Sequence, residues 1–418
     1  MFRLLLFILT MLPAPRSGAE GVDVSTLSGK VVCGDQGWFR CAGDGSNNGW
    51  HHYSPRGDPQ PGKIGIDLWP DVSDLAATDR VDTSFLHADG RAAQLFSSVK
   101  SGVTRVHFQW MRQYGIDGVL LQRFATTTSD SRFRGPMDTV LDNVKASTAA
   151  TGRGWALMYD LSGLKPGQMD TVMEDFKRLQ QQRRIVRDGS DRAYFHHRGK
   201  PLVGVWGLGF NDREPMLDEW ERLIHFLRDD KEAGGFSILL GVPCYWRTQS
   251  KDCIADTKLH ALLEKADIIS PWSVGRFGTA QDATARTDEL LRPDIAKAAE
   301  WKSDYLPVIF PGFSWQNLQK SRGKEAKLDQ IPRRGGEFLW SQAVAAKSAG
   351  VNMLYVAMFD ELDEGTAIFK TTSDAPVGES KFVAEPAVKP DHYLWLTGEI
   401  GKMLRAERPL ERAVPRRE

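Results

Sequence analysis

The sequence predicts an α/β protein built as a (β/α)8 barrel. Two observations carry this. Eight short apolar segments rich in Val, Ile, Leu and aromatics recur roughly every 30 to 50 residues: Ile64–Trp69, Gly118–Phe124, Trp155–Leu161, Leu202–Gly207, Ser237–Val242, Ile268–Val274, Leu306–Phe310 and Met353–Phe359. They are apolar in runs rather than in alternation, as strands covered on both faces are. Between most of them lie patterns of helical period, the second observation. These are Val103–Tyr114, Pro136–Ala150, Met169–Val186, Pro215–Leu227, Ala255–Leu263 and Glu337–Ser348. Strand then helix, repeated, means parallel pairing through crossover helices, and eight units close a barrel. A doubly wound open sheet is the other architecture with this rhythm. No GxGxxG follows the first segment, which argues against a dinucleotide-binding version.

Each remaining element follows from composition. Pro136 and Pro215 are placed near helix starts, where a missing N–H costs nothing. Residues 20–63 are Gly-, Asn- and Ser-rich and read as a loop-rich N-terminal cap before a catalytic barrel over 64–370. Residues 371–418 read as a polar extension, a final helix over His392–Arg405 and a basic tail. Residues 1–19 read as a signal peptide: Arg3, an apolar run from Leu4 to Leu12, then Ser17-Gly18-Ala19. That run is shorter than the about 20 residues a membrane span needs. A secreted or periplasmic location is expected.

An exported chain permits disulfides. Cys33 and Cys41 are eight residues apart and Cys244 and Cys253 nine apart, each pair flanking a polar loop. Cys33–Cys41 and Cys244–Cys253 are the expected bridges. With 54 basic and 54 acidic residues the net charge is zero, which gives no nucleic-acid footprint and no electrostatic membrane anchor. No metal site is expected, since neither the cysteine spacing nor the pairs His51-His52 and His196-His197 complete a ligand set. No cofactor is expected either, and the chain is expected to be a monomer.

In a barrel the chemistry gathers where strands end, on the C-terminal face. Reading past each segment gives Asp67 and Trp69, Gln122 and Arg123, Tyr159 and Asp160, Trp206, Trp246, Trp272 and Arg276, and Trp315. The last segment runs into Phe359-Asp360-Glu361-Leu362-Asp363-Glu364-Gly365-Thr366, with four carboxylates in five residues. Sugar rings stack apolar C–H faces on aromatics and offer hydroxyls to Asp, Glu, Arg and Gln, so this set suits a carbohydrate pocket. Aromatics at strand ends also simply fill a barrel rim, and an acidic turn before a helix N-terminus is stabilised by the dipole. Glu361 and Glu364, three apart, face the same way in a tight turn and are the candidate acid/base pair. A separation of about 5–5.5 Å would make a usual retaining pair and about 6.5–9.5 Å an inverting one. Asp360 is a candidate substrate ligand or an orienting group, and Asp363 an orienting or surface charge.

These residues resemble a family. The segment AGVNMLYVAMFDELDEGTAIF (Ala349–Phe369) is similar to the strand and N-E-W-H-E-G-T-Q turn of the glycoside hydrolase family 99 and 71-like group. That group includes endo-α-mannosidases and secreted bacterial members described as family 99-like or xylosidase/arabinosidase-like. Supporting stretches are GIDGVLLQRF, WALMYDLSGL, GKPLVGVWG, IISPWSVGRF and YLPVIFPGFSW, so the resemblance spans roughly residues 50–370. It implies a (β/α)8 barrel acting on poly- or oligosaccharides with retention. It places the base that acts on the substrate 2-hydroxyl at Glu361 and the general acid/base at Glu364. The family's Asn, Trp, His and Gln are Asp360, Leu362, Asp363 and Ala367 here. Those departures touch the sugar subsites, and they keep open a conventional Glu nucleophile and an inactive carbohydrate-binding barrel.

Overall fold

The computed structural model describes residues 21–55, 57–186 and 191–417. The expected signal peptide lies outside the described residues. The strands are β1 (Val31–Asp35), β2 (Arg80–Leu86), β3 (Ala92–Phe96), β4 (Gly118–Phe124), β5 (Gly154–Asp160), β6 (His196–His197), β7 (Lys200–Trp206), β8 (Ser237–Pro243), β9 (Ile268–Trp272), β10 (Asp304–Tyr305), β11 (Val308–Ile309) and β12 (Leu354–Val356). The helices are α1 (Ser101–Tyr114), α2 (Ser131–Thr151), α3 (Met169–Gln182), α4 (Leu217–Asp229), α5 (Thr257–Leu263), α6 (Ala280–Arg286), α7 (Arg292–Glu300), α8 (Gln316–Ser321), α9 (Glu337–Ser348) and α10 (His392–Leu404).

The main sheet runs β10-β9-β8-β7-β5-β4-β1-β12-β11. Every pair along that path is parallel. β10 and β11 are two halves of one extended stretch, interrupted at Leu306 and Pro307, the latter unable to donate to a ladder. One half pairs with β9 and the other with β12, so the sheet closes into eight staves. β2 and β3 form a separate antiparallel hairpin.

Five of the eight expected strands coincide with observed staves to within two residues, and the last, Met353–Phe359, contains β12 but runs three residues past it. The seventh, Leu306–Phe310, overlaps the split stretch. The first does not. The opening stave is Val31–Asp35, paired with β12 on one side and β4 on the other. Ile64–Trp69 is instead an extended segment whose Asp67 and Leu68 amides donate to the Leu362 carbonyl. The barrel therefore begins inside the stretch read as a cap. VVCGD escapes a hydrophobic scan because it is five residues long and contains Gly and Asp. Its Gly34 is needed, since a Cβ there would lie 2.2 Å from both Tyr355 and Met358 inside the barrel.

The two expected disulfides are absent, and all four cysteines are free and buried. Cys33 is fixed in β1 between Val356 and Val119, while the Cys41 thiol donates to the Phe96 carbonyl at 3.1 Å. Cys253 lies against the Ile254 carbonyl, whereas Cys244 meets Arg286 at 2.8 Å. Each pair is thus split between two packing environments.

Alternation along the strands sorts neighbours to opposite faces. On β4 and β5, Arg123 and Tyr159 point outward, into the layer between barrel and helices. Arg123 donates to both oxygens of Asp175 and, at 2.9 Å, to Asp138. Arg178 bonds both carboxylates at 2.8 Å, and the Tyr159 hydroxyl donates to Asp175 at 2.8 Å. These arginines hold Asp175 below the usual carboxylate range despite its burial. Arg123→Met would leave two buried carboxylates short of their counter-charge. We expect a loss of about 3–5 kcal/mol in denaturant unfolding, and an unchanged midpoint would refute this role.

Candidate active site

β1 and β12 are adjacent staves, so the chain leaving each meets the other at the C-terminal mouth. Gln36-Gly37-Trp38 follows β1, and the acidic turn follows β12. Asp360 joins them: its carboxylate accepts from the Gln36 amide at 2.9 Å and the Gly37 amide at 2.8 Å. Gly37 sits at φ +56°, a conformation that suits glycine, and a Cβ there would lie 2.5 Å from Val140. Asp35, also buried, hydrogen-bonds Asp360 and keeps its proton well above the usual range, because burial and the Asp360 charge both oppose ionisation. Asp360 is pushed up to about 6, chiefly by burial.

Glu361 is buried, and both its oxygens accept: from Gln36 Nε2 at 2.9 Å and from Thr366 Oγ1 at 2.6 Å. Burial, then the charges of Glu364 and Asp363, raise its pKa well above an ordinary glutamate's. Glu364 is partly exposed at the mouth. Burial and Asp363 push it up to about 7, against the pull of Arg322. Its carbonyl accepts from the Ser314 amide at 2.9 Å, which pins the turn. Asp363 is buried and faces His52 Nδ1 at 3.2 Å through Oδ2, while Oδ1 has no partner. It is pushed up to about 7, mainly by burial.

Several expected residues converge on this corner from inside the barrel. Gln122 Nε2 donates to the Tyr355 hydroxyl at 3.3 Å. Trp206 and Trp272 meet edge to face at 5.4 Å, and Trp272 approaches Tyr355 at 6.5 Å. Asp160 caps the Ser162 amide at 2.7 Å, and burial raises its pKa.

Other expected residues lie elsewhere. Arg123 and Tyr159 belong to the outer ion network. Asp67 is saturated by Ser314 Oγ, the Gln316 amide and the Asn317 amide at 2.5, 2.7 and 2.8 Å. It acts one step back, by fixing the serine that pins Glu364. Trp69 packs on Phe85 and Phe382, and Trp246 on Trp301, both fully covered by protein. Arg276 is engaged with Asp252 at 2.8 Å, and the Trp315 indole with Gln330 at 2.9 Å.

The site residues that sequence reasoning missed are Gln36, Trp38, His52, Tyr355 and Thr366. The signal for the first two was available: with VVCGD read as a strand, QGW is the strand end. Trp38 stacks on His52 at 3.6 Å and on Phe124 at 4.9 Å. This stack forms a wall of a cleft of about 200 Å³ that Gln36, His51 and Phe133 also line. Among the described residues no group of three or more His, Cys, Asp or Glu side chains is arranged to hold a metal ion, and no helix is long and apolar enough to cross a membrane.

The fold defines a class, a (β/α)8 barrel of the kind found in glycoside hydrolases. The chain is similar to the GH99 endo-α-mannosidase of Bacteroides thetaiotaomicron, with a TM-score of 0.64 and 14% identity over 91% of this chain and 99% of that one. The same values hold for that enzyme in complex with bis-tris-propane. A protein described as glycoside hydrolase-like matches at a TM-score of 0.50 and 12% identity over 82% of this chain and 97% of that one. No family model and no curated protein matches the sequence.

The raised carboxyls have a consequence for stability. Asp363 is held at about 7 in the folded state against an ordinary 3.8. The native state therefore binds more protons than the unfolded one between those values, and stability falls as pH rises through this window, by at most about 1.4 kcal/mol per pH unit for one group. Asp360 and Glu364 act in the same direction. Asp363→Asn keeps a polar contact to His52 without a charge. Its thermal midpoint should exceed the wild type's at pH 8 and vary less between pH 5 and 8. A variant no more stable at pH 8 would refute the assignment.

Proposed function

We propose that this protein is an exported glycoside hydrolase acting on a poly- or oligosaccharide with retention of configuration, using Glu361 and Glu364. The observation that carries the reading is the contrast between the two glutamates at the end of β12. Glu361 is buried and fixed at both oxygens by Gln36 and Thr366, which aims the carboxyl and, once it is ionised, supports it as a base. Glu364 is partly exposed and pushed up to about 7, as a proton donor is.

Glu361 takes the proton of the substrate 2-hydroxyl as that oxygen attacks the anomeric carbon. Glu364 gives its proton to the departing glycosidic oxygen, leaving a 1,2-anhydro sugar. Glu364, now a carboxylate, then takes a proton from water. The hydroxide attacks the anomeric carbon, the three-membered ring opens, and Glu361 returns its proton to the 2-oxygen. Two displacements at one carbon retain configuration. A hydroxyl proton is hard to remove, so the raised proton affinity that burial gives Glu361 suits a base once the carboxyl is ionised. Trp206, Trp272, Tyr355, Gln122 and Asp160, gathered inside the barrel, are the groups this reading assigns to sugar recognition.

A screen of α-mannans, arabinoxylans and related neutral glycans, with products read by mass, identifies the substrate. Glu364→Gln should lower kcat by roughly 10²–10⁴-fold with an unchanged circular dichroism spectrum. Wild-type activity in that variant would sink the assignment. In the native enzyme kcat/KM should fall as pH rises through about 7, where Glu364 loses its proton. Trapping of a covalent glycosyl-enzyme on Glu361 would instead make it a conventional nucleophile.

A further inference from the structure

The Trp38–Phe124 cleft lies against the acidic corner but is not used by the chemistry above. Gln36, on its wall, holds Glu361, and His52, also on its wall, holds Asp363, the chain neighbour of Glu364. The His52 ring is fixed three ways. Its backbone sits at φ +61°, in the left-handed region that few non-glycine residues occupy and that clusters at functional sites. Its plane lies 12° from Trp38 at a centroid distance of 3.6 Å. Its Nδ1 is committed to Asp363 Oδ2 at 3.2 Å. Nε2 has no protein partner among the described residues, and the side chain, 25% exposed, forms part of the cleft wall. A histidine held on one nitrogen by a buried carboxylate presents the other to whatever fills the cleft.

The cleft's other features define the occupant. Trp38, Phe124 and Phe133 offer apolar surface, and Asn48, His51 and His52 offer polar groups without formal charge. His51 and His52 are pushed by burial down to about 4 and about 3, so both are neutral at physiological pH. Arg40, also at the wall, is spent on the carbonyls of Gly37 at 2.7 Å and Phe39 at 3.0 Å. Among the described lining residues Arg40 carries the one formal charge, and it is turned to backbone carbonyls, so the rest of the cleft offers neutral polar and aromatic surface.

We propose that His52 is a substrate-contacting residue whose Nε2 hydrogen-bonds a hydroxyl of an uncharged sugar unit seated in this cleft. A hydroxyl is donor and acceptor at once, so it matches Nε2 whether the shared proton lies on Nδ1 or on Asp363. This rests on the glycoside hydrolase reading of Glu361 and Glu364.

The test uses the full chain and the neutral oligosaccharide that the screen finds hydrolysed, together with analogues each lacking one hydroxyl. His52→Gln and His52→Ala should lower kcat/KM roughly tenfold, the worth of one such hydrogen bond, mostly through KM. One deoxy analogue should cost the wild type the same factor and cost His52→Ala nothing more, which a merely structural role would not produce. In Glu364→Gln protein labelled with ¹⁵N-histidine, the His52 imidazole resonance should move as the oligosaccharide is titrated, a readout that needs no variant of His52. Variants within twofold of wild type, or a resonance that stays fixed at saturation, overturn the proposal while leaving the catalytic reading intact. An active Glu364→Gln overturns the catalytic reading, while weaker binding by His52→Ala would still support the contact. A wild type that neither binds nor cleaves any glycan overturns both.

Discussion

Five carboxyl groups, Asp35, Asp360, Glu361, Asp363 and Glu364, meet in one corner of the barrel mouth where water is largely excluded, and they cannot all be ionised. Like charges at short range in a low dielectric repel by more than hydrogen bonds return. Protons must stay on some of them at neutral pH. Local donors bear on how the protons are shared. Asp360 receives two backbone amides and Glu361 two side-chain donors, which favour the charged form of each. Burial and like charge still raise the proton affinity of all five, with Asp35 and Glu361 well above the usual carboxylate range. The placement of those donors is a result of β1 lying beside β12.

That adjacency is also where barrel closure and chemistry coincide. Asp360 bonds the chain leaving β1 to the chain leaving β12, and Gln36, held by that bond, reaches Glu361. On the other side, Asp67 fixes Ser314, and Ser314 fixes the Glu364 carbonyl. Each glutamate is therefore oriented by a residue that an aspartate positions. The two supports come from chain segments far apart in sequence, which lets the corner be rigid without a helix or strand running through it.

Legibility in the sequence followed the physics of each element. The strands β4, β5, β7 and β8 are covered on both faces, so their apolar runs show in composition alone. β1 is as buried but shorter and interrupted by Gly34, so period and propensity carry too little signal to separate it from a loop. The consequence extends to the site: a first strand at Ile64 ends at Asp67 and Trp69, whereas the true first strand ends at Gln36 and Trp38. Parity misled in another way. Gln122 and Arg123 are neighbours at a strand end, and only the fold decides which faces the axis. Tryptophans show the same limit, since Trp206 and Trp272 at the mouth and Trp69 and Trp246 in the protein interior have equal hydrophobicity. The acidic turn was legible because four carboxylates in five residues are improbable anywhere water is scarce. His52 was not, because its significance comes from Asp363, which is 311 positions away.

The two buried carboxylate groups of this barrel make an instructive contrast. Outside the wall, Asp138 and Asp175 sit against Arg123 and Arg178 at hydrogen-bonding distance, and Asp175 stays below the usual range. Inside the mouth, the five carboxyls have no guanidinium bonded to them among the described residues; the charge of Arg322 reaches Asp363 and Glu364 only through space, and their pKa values stand at about 7. The same chain thus pairs the outer acids with arginines and gives the acids of the mouth neutral donors instead, where a proton must move. A closely bonded arginine at the mouth would ionise Glu364 permanently and remove its proton from use. The instability of that corner at neutral pH and its capacity for acid/base chemistry are one property, and the outer network, whose carboxylates are matched by arginines, supplies stability that the mouth does not.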